Sequence, residues 1–224
     1  MIYVTGDTHG EHGRFNLLAT QGETEWTEND YLIVCGDFGY LFLNDSYENI
    51  FLNHMEEKPY TICFVDGNHE NHTALNEFPV EIWNGGKIHR IRKNVIHLMR
   101  GQVYEIDGKK IFTFGGAYSI DRAQRKEGYS FWREELPSDS EYKESSANLK
   151  AHNYQVDYIF THTAPTEIIR RMGKTPDQHD KELTGYLEWI MYEVTFKKWF
   201  FGHWHDEKTI NDKFRLMLFD VEAI

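Results

Sequence analysis

Five short segments of the sequence share one arrangement of residue types. Each places aspartate, asparagine or histidine directly after an apolar run, and four of the five begin with glycine. They are GDTHG from position 6, GDFG from 36, GNHE from 67, THTAP from 161 and GHWH from 202. A glycine before a polar residue lets the backbone turn sharply and brings the next side chain close to a partner. The five segments therefore have the composition of binding loops.

Apart from His69, seven side chains of these segments can offer a lone pair to a cation. They are Asp7, His9, Asp37, Asn68, His162, His203 and His205. This mixture of carboxylate, amide and imidazole suits first-row divalent metals better than calcium, which prefers oxygen ligands. Seven ligands are too many for one ion, and they suit two ions that share one carboxylate. The alternative interpretation is ordinary turn chemistry, because aspartate and asparagine favour turns after strands.

The apolar runs before these segments predict the elements that position them. Runs rich in β-branched and aromatic residues predict strands over 2–5, 31–35, 60–65, 95–99, 110–114, 158–161, 199–201 and 214–219. Asp107-Gly108 between two such runs predicts a hairpin. Helical spacing predicts helices over 14–20, 45–57, 166–172 and 180–194. This order indicates a layered α/β fold, in which the carboxyl ends of the strands form the binding edge.

The composition limits the number of domains and the class of partner. The chain has 224 residues, 24 basic and 36 acidic side chains, and a formal net charge of −12. That length fits one domain over 1–224, and the charged, serine-rich stretch 121–153 is predicted to be a polar insertion over one face of the sheet. Because the chain is so acidic, we expect no broad basic face and no long nucleic acid as partner.

Further features of the sequence predict a cytoplasmic protein. The N-terminal residues MIYVTGD lack the basic and apolar regions of a secretory signal, and no apolar stretch is long enough to cross a membrane. The two cysteines, Cys35 and Cys63, lie inside apolar runs, which predicts buried free thiols in a reducing compartment. We therefore expect a cytoplasmic location and no membrane partner.

In their order along the chain, the five segments resemble the motifs of the calcineurin-like metallophosphoesterase superfamily. The resemblance runs from position 6 to position 205 and is strongest to Ser/Thr protein phosphatase-like and small bacterial or phage-type metallophosphatases. Each motif alone is weak evidence for this superfamily, whereas all five motifs in this order are specific to it. The resemblance implies an α/β fold of four layers, a metallophosphatase sandwich of two facing mixed β-sheets flanked by helices.

The resemblance also implies a role for each candidate residue. Asp7, His9 and His205 would bind one metal, Asn68, His162 and His203 would bind the other, and Asp37 would bridge both. His69 would be the general acid or a substrate-binding group. The implied reaction is hydrolysis of a phosphomonoester, either a small molecule or a phosphopeptide, by attack of a metal-bridging hydroxide, with His69 assisting the leaving group. Manganese is the predicted metal, with iron or zinc as alternatives.

The sequence departs from the protein-phosphatase pattern at one point. That branch carries an aspartate and an arginine shortly after the bridging aspartate, where this chain has Tyr40 and Leu41. This weakens the case for protein-phosphatase activity but leaves the metal site intact. Arg122 or Arg125 could replace the missing phosphate-binding arginine, because a guanidinium matches phosphate bidentately. The alternative is that both arginines are solvated surface charges.

Two other functions remain open at this point. THTAP and GHWH resemble phosphodiesterase-type members, so hydrolysis of a phosphodiester such as a cyclic nucleotide is one alternative. A scaffold of the same fold without catalysis is the other, and the presence of all seven ligand positions and of His69 argues against it. We interpret the other histidines as surface or structural residues, namely His12, His54, His72, His89, His97, His152 and His179.

Overall fold

A computed structural model describes residues 1–224 except for the side chains of His12 and Asn16, so the interpretation of His12 lies outside the described residues. The strands are β1 (Ile2–Thr5), β2 (Tyr31–Val34), β3 (Thr61–Phe64), β4 (Val80–Trp83), β5 (Gly86–Arg92), β6 (Val95–Leu98), β7 (Gln102–Ile106), β8 (Lys109–Phe114), β9 (Tyr158–Thr161), β10 (Lys198–Phe201), β11 (Lys208–Ile210), β12 (Phe214–Leu216) and β13 (Glu222–Ala223). The α-helices are α1 (His12–Thr20), α2 (Ser46–Glu56), α3 (His72–Glu77), α4 (Asp139–Ala151), α5 (Thr166–Arg171) and α6 (Lys181–Glu193).

The first sheet brings the ends of the N-terminal strands together. Its order is β13-β1-β2-β3-β6-β5-β4, with β1, β2, β3 and β6 parallel and the outer strands antiparallel. Tyr3 pairs with Leu32, and Leu32 pairs with Ile62. Because this register has no offset, the carboxyl ends of β1, β2 and β3 lie side by side.

The second sheet brings the ends of the C-terminal strands together. Its order is β11-β12-β10-β9-β8-β7, in which β8, β9, β10 and β12 are parallel. Ile159 of β9 pairs with Phe112 on one side and with Trp199 on the other. The carboxyl ends of β9 and β10, which precede THTAP and GHWH, are therefore neighbours.

Buried apolar side chains divide the molecule into four layers. One cluster joins the two sheets and contains Ile33 of β2 together with Phe160 of β9. A second cluster packs helix residues such as Leu52 against the outer face of the first sheet. A third packs α4 and α6 against the second sheet, with Leu149 and Leu187 fully buried. The order helix, sheet, sheet, helix confirms the predicted α/β sandwich of two facing mixed sheets.

Most elements appear where the sequence predicts them. The predicted strands are present with small differences at their ends, and the Asp107-Gly108 turn joins β7 to β8 with left-handed φ values of 49° and 68°. The hairpin of β4 and β5 was not predicted. Its turn, Asn84-Gly85, also has left-handed φ values, 48° and 93°, and this dipeptide is a hairpin signal that was available in the sequence.

The stretch 121–153 contains two single 3₁₀ turns and then α4. A capping box at Ser138 and Glu141 starts this helix, and Leu149 anchors it to the second sheet. Its description as an insertion in a single domain stays a prediction. Cys35 and Cys63 are buried free thiols, as predicted. Among the described residues, no helix is long and apolar enough to cross a membrane.

Candidate metal centre

The two sheets bring the five sequence segments to one edge of the sandwich. Four of the predicted ligands form a compact group: Asp7, His9, Asp37 and His205 offer ligand atoms that all lie within 4.8 Å of one another. His205 Nε2 lies 3.2 Å from Asp7 Oδ2, and His9 Nε2 lies 3.8 Å from Asp37 Oδ2. Ends of strands from both sheets thus meet at one point.

The other three predicted ligands adjoin this group through Asp37. His162 Nε2 lies 3.2 Å from Asp37 Oδ1 and 3.2 Å from Asn68 Oδ1. His203 Nδ1 lies 3.1 Å from the same Asn68 oxygen. Asp37 therefore faces His9 with one oxygen and His162 with the other. We call these seven side chains the candidate metal centre.

The atoms that face each other fit divalent cations. His9 Nε2 and His205 Nε2 lie 3.0 Å apart, so two groups of the same type converge. His162 Nδ1 lies 2.9 Å from the carbonyl oxygen of Cys35, which can only accept, so this nitrogen carries the proton. In the neutral ring, Nε2 then directs a lone pair towards the oxygens of Asp37 and Asn68. Lone pairs that converge in this way suit a shared cation, and this donor set suits manganese, iron or zinc.

The electrostatics of the cation-free site agree with this fit. Burial alone would raise the pKa of Asp37, but the charges of His162, His69 and His9 outweigh it and hold that pKa well below its usual range. Burial opposes protonation of His162, yet Asp37 and Asp7 raise its pKa to about 10. A proton on His162 thus neutralises the buried carboxylate, and a bound metal would take over that function.

Four of the seven candidate ligands have a strained backbone. His9, Asp37, His203 and His205 all have left-handed φ values, between 44° and 68°. Each such residue other than glycine costs roughly 1–3 kcal/mol and persists where the surrounding structure fixes it, commonly at functional sites. Gly67 has a spatial reason: a Cβ there would lie 2.1 Å from Asp37 Oδ1.

Two buried carboxylates, Glu70 and Glu135, hold the loops of the site. Glu70 accepts from the backbone amides of Phe38 (2.6 Å) and Gly67 (3.1 Å), which ties the loop after β2 to the loop after β3. Glu135 accepts from the amide (2.8 Å) and hydroxyl (2.9 Å) of Ser119. The Asn68 amide in turn donates to the Ser119 hydroxyl over 3.3 Å. This contact identifies the NH₂ end of the Asn68 amide, so the oxygen of Asn68 points towards the histidines.

His69 lies beside the candidate metal centre and contacts Arg125. Its ring centroid is 5.1 Å from that of His9, and its backbone amide donates to Asp37 Oδ1 over 2.8 Å. Arg125 Nη2 lies 3.1 Å from His69 Nε2. Because a guanidinium only donates, His69 Nε2 accepts. Burial lowers the pKa of His69, and Arg125 lowers it further, against the opposing effect of Asp37.

The structure separates the two predicted phosphate-binding arginines. Arg125 lines a cavity of about 480 Å³ that also contains Asp37, Asn68 and His69. Arg122 is not part of that lining in the described structure. Its guanidinium donates to Glu135 over 2.6 Å and lies over the ring of Tyr118 at 4.5 Å. Arg122 therefore neutralises the carboxylate that holds Ser119, and of the two arginines Arg125 is the one that lines the cavity.

A second buried charged group, which the sequence analysis did not single out, starts two residues before Asn68. We call Asp66, His72, His89, His97 and Arg100 the Asp66 cluster. Asp66 accepts from Arg100 Nε over 2.8 Å and pairs with His97 Nε2 at 3.2 Å, and His89 Nδ1 meets His97 Nδ1 at 3.1 Å. Burial would raise the pKa of Asp66, but Arg100 and His97 hold it well below its usual range.

Comparison with known proteins agrees with the geometry. A family model for calcineurin-like phosphoesterases matches residues 1–207. The lariat debranching enzyme of Schizosaccharomyces pombe is 24% identical to this chain over 236 aligned positions, covering 93% of this chain and 48% of that enzyme. The chain thus spans about half the length of this curated relative.

The family match includes all five segments that carry the candidate metal centre, and four of the residues in them form a possible metal site. The family is one of metal-dependent phosphoester hydrolases. The chain belongs to the calcineurin-like phosphoesterase family.

Proposed function

We propose that this protein is a dinuclear metal-dependent phosphatase that hydrolyses a phosphomonoester. The supporting observation is the convergence of seven ligand side chains around Asp37. In the proposal, one cation is held by Asp7, His9 and His205, the other by Asn68, His162 and His203, and Asp37 contacts both. Manganese remains the predicted metal, and a cytoplasmic location remains a prediction.

Bound cations would neutralise the charge on the phosphoryl oxygens and activate a water molecule. The chain supplies the remaining functions. Asp37 orients the two halves of the centre, since its two oxygens face different histidines. Arg125 lines the cavity and offers N–H groups to a phosphoryl oxygen. When Arg125 turns to the phosphate, His69 Nε2 becomes free to hold a proton against the leaving oxygen.

A phosphodiesterase is the second candidate, and one observation favours it. The curated relative is a lariat debranching enzyme, although the identity is 24% and the match covers 48% of that enzyme. This match also gives no support to the expectation that long nucleic acid is excluded. The net charge of −12 describes the whole chain, whereas two bound divalent cations would make the site itself attractive to any phosphoester.

Turnover of p-nitrophenyl phosphate and bis-p-nitrophenyl phosphate tests this proposal. The protein is stripped of metal, refilled with manganese and assayed on both compounds. We expect metal-dependent turnover that Asp37→Asn reduces by about 10²–10³-fold, because the variant lacks the charge shared by both cations. Asp212→Asn, an exposed aspartate in the β11–β12 turn, is the matched control and should retain turnover.

The ratio of the two rates distinguishes the candidates. Faster turnover of the monoester supports the phosphatase, and faster turnover of the diester supports the phosphodiesterase. Two bound manganese ions without turnover of either compound would contradict both and favour the catalytically silent scaffold.

A further inference from the structure

The cavity beside the candidate metal centre has a second wall, formed by the segment before α6. The ring of His179 stacks on Tyr118 with centroids 4.5 Å apart and planes inclined by 11°. Asp177 accepts from the amide (2.8 Å) and from Nδ1 (2.7 Å) of His179. Arg122 covers Tyr118 as well. These contacts fix the segment, so the wall is preformed.

Asp180 occupies an unusual position in this wall. It is the N-cap residue of α6, where an aspartate ordinarily accepts hydrogen bonds from the first helical amides, yet its side chain makes no such bond. The side chain lines the cavity instead, and Asp180 is only 3% exposed. Its Oδ1 finds no hydrogen-bond partner within the described part of the chain.

The charged form of the carboxylate has some support from the backbone, because the amides of Tyr118 and of Asp180 itself lower its pKa. Burial and the neighbouring charge of Asp177 raise its pKa to about 6, so the group is still mainly ionised at neutral pH. A buried acceptor without a partner is unfavourable, and its persistence at a cavity wall requires an explanation.

The surroundings of Asp180 indicate what would satisfy it. The cavity lining contains one lysine, Lys174, and the carboxylates Asp121, Asp177 and Asp180. Asp121 pairs with Arg125 at 2.7 Å, and Asp177 Oδ1 accepts both hydrogen bonds from His179. Asp180 Oδ1 is buried and has no hydrogen-bond partner among the described residues. A carboxylate accepts only, so its complement is an N–H donor, and a positively polarised amine suits an acidic wall best. Trp204 lines the same cavity and offers an apolar surface beside the acids.

We propose that Asp180 selects the alcohol part of the phosphoester, by accepting a hydrogen bond from an amino group that the substrate carries away from its phosphate. This inference rests on the proposed function, because it assumes that the phosphate lies at the candidate metal centre. The exocyclic amine of a nucleobase and an aliphatic ammonium group share this chemistry. A cavity of about 480 Å³ is within the usual range of small-ligand sites, roughly 300–1,000 Å³.

The test compares substrates that differ only in the amino group. With the manganese-loaded protein, kcat/KM is measured for adenosine 5′-monophosphate against inosine 5′-monophosphate, in which a carbonyl replaces the amine. The second pair is O-phosphoethanolamine against propyl phosphate, in which a methyl replaces the ammonium. We expect the amine-bearing member of one pair to be favoured by about tenfold or more, and the pair that responds identifies the source of the amine.

Asp180→Asn gives the specific readout. The substitution replaces a carboxylate, which only accepts, by an amide whose NH₂ group donates. If the nucleotide pair responds, its preference should invert towards the carbonyl; if the other pair responds, its preference should fall to near unity. Asp212→Asn is the matched control, since this exposed aspartate lies in the β11–β12 turn, outside the cavity lining, and it should retain the wild-type preference.

Two outcomes would overturn this inference while leaving the proposed function intact. One is equal kcat/KM for both members of both pairs in the wild-type protein. The other is a wild-type preference that Asp180→Asn leaves unchanged. Failure of the proposed function looks different, because the wild-type protein would then also fail to turn over p-nitrophenyl phosphate.

Discussion

The candidate metal centre and the Asp66 cluster both bury carboxylates and histidines, and they meet at the loop after β3. In the Asp66 cluster, opposite charges are matched: Arg100 and His97 both contact Asp66, and Arg100 also donates to the carbonyl of Glu134 over 2.8 Å. The candidate metal centre has no lysine or arginine among its seven side chains, and its His9 and His205 have left-handed backbones.

This difference shows which cluster is complete within the chain. The Asp66 cluster obtains its positive charge from its own arginine. The candidate metal centre has no arginine or lysine of its own, so a bound divalent cation would supply the fixed positive charge that its carboxylates lack. Buried charge alone is therefore a poor indicator of a functional site, whereas unmatched charge combined with backbone strain is a good one.

Breaking the Asp66 cluster should have the largest effect on stability. Arg100→Leu leaves the carboxylate of Asp66 buried without its main counter-charge, so we expect the free energy of unfolding to fall by about 3–5 kcal/mol. Urea denaturation of the metal-free protein measures this. Arg133→Leu, which removes an exposed ion pair with Glu127, should change the same quantity far less, because solvent screens that pair. Equal losses in both variants would refute the assignment.

Metal removal should distinguish the two clusters, because the melting temperature should depend on metal only through the candidate metal centre. At a manganese concentration of about 100 times the dissociation constant, binding stabilises the fold by about 2.7 kcal/mol, which corresponds to roughly 5–10 °C in melting temperature for a chain of this size. Calorimetry before and after chelation measures the shift. Arg100→Leu should retain the full shift and Asp37→Asn should lose most of it. A shift of the same size in Asp37→Asn would mean that the metal binds elsewhere.

Ser119→Ala should weaken the metal centre without damaging the fold. The substitution removes the acceptor of the Asn68 amide, so the oxygen of Asn68 loses its fixed direction. We expect manganese affinity at one of the two sites to fall by about 10–100-fold, measured by titration with electron paramagnetic resonance. Ser146→Ala on α4 removes a comparable hydroxyl far from the centre in sequence and is the control. Unchanged affinity at both sites would refute the positioning role.

The smallest effect concerns pH. Burial, together with the neighbouring His97, lowers the pKa of His89 to about 4. In the unfolded chain the pKa of histidine is about 6.5, so between pH 6.5 and pH 4 only the unfolded state takes up this proton. The free energy of unfolding should therefore fall as the pH decreases through this window. His89→Gln should show a smaller decrease, and an identical pH profile would contradict this explanation.

The fold and the convergence of the candidate ligands could be predicted from the sequence because both depend on local signals. Asp7, Asp37 and Asn68 each follow an apolar strand directly, and the parallel register then brings them together. The Asp66 cluster was not predicted. Asp66 and Arg100 are partners only because β3 pairs with β6, and no spacing rule records that contact.

The cavity wall could not be predicted from the sequence, for a different reason. Asp180 lies where a helix N-cap is expected, and its residue type suits that role, so the sequence gives no sign that the side chain turns away from the helix. The same holds for Arg122 and Arg125. They lie three residues apart in a polar stretch and have similar local sequence. Only the loop conformation brings Arg122 to Glu135 and Arg125 to His69.

The spread of the seven candidate ligands along the chain has a consequence for folding kinetics. They extend from residue 7 to residue 205 and come from strand ends in both sheets, so every cation would cross-link the N-terminal and C-terminal halves. Such long-range contacts form late and slow the search for the native state. With metal bound, the centre would link the two halves of the chain. Bound metal should therefore protect the chain from proteolysis that proceeds through partial opening.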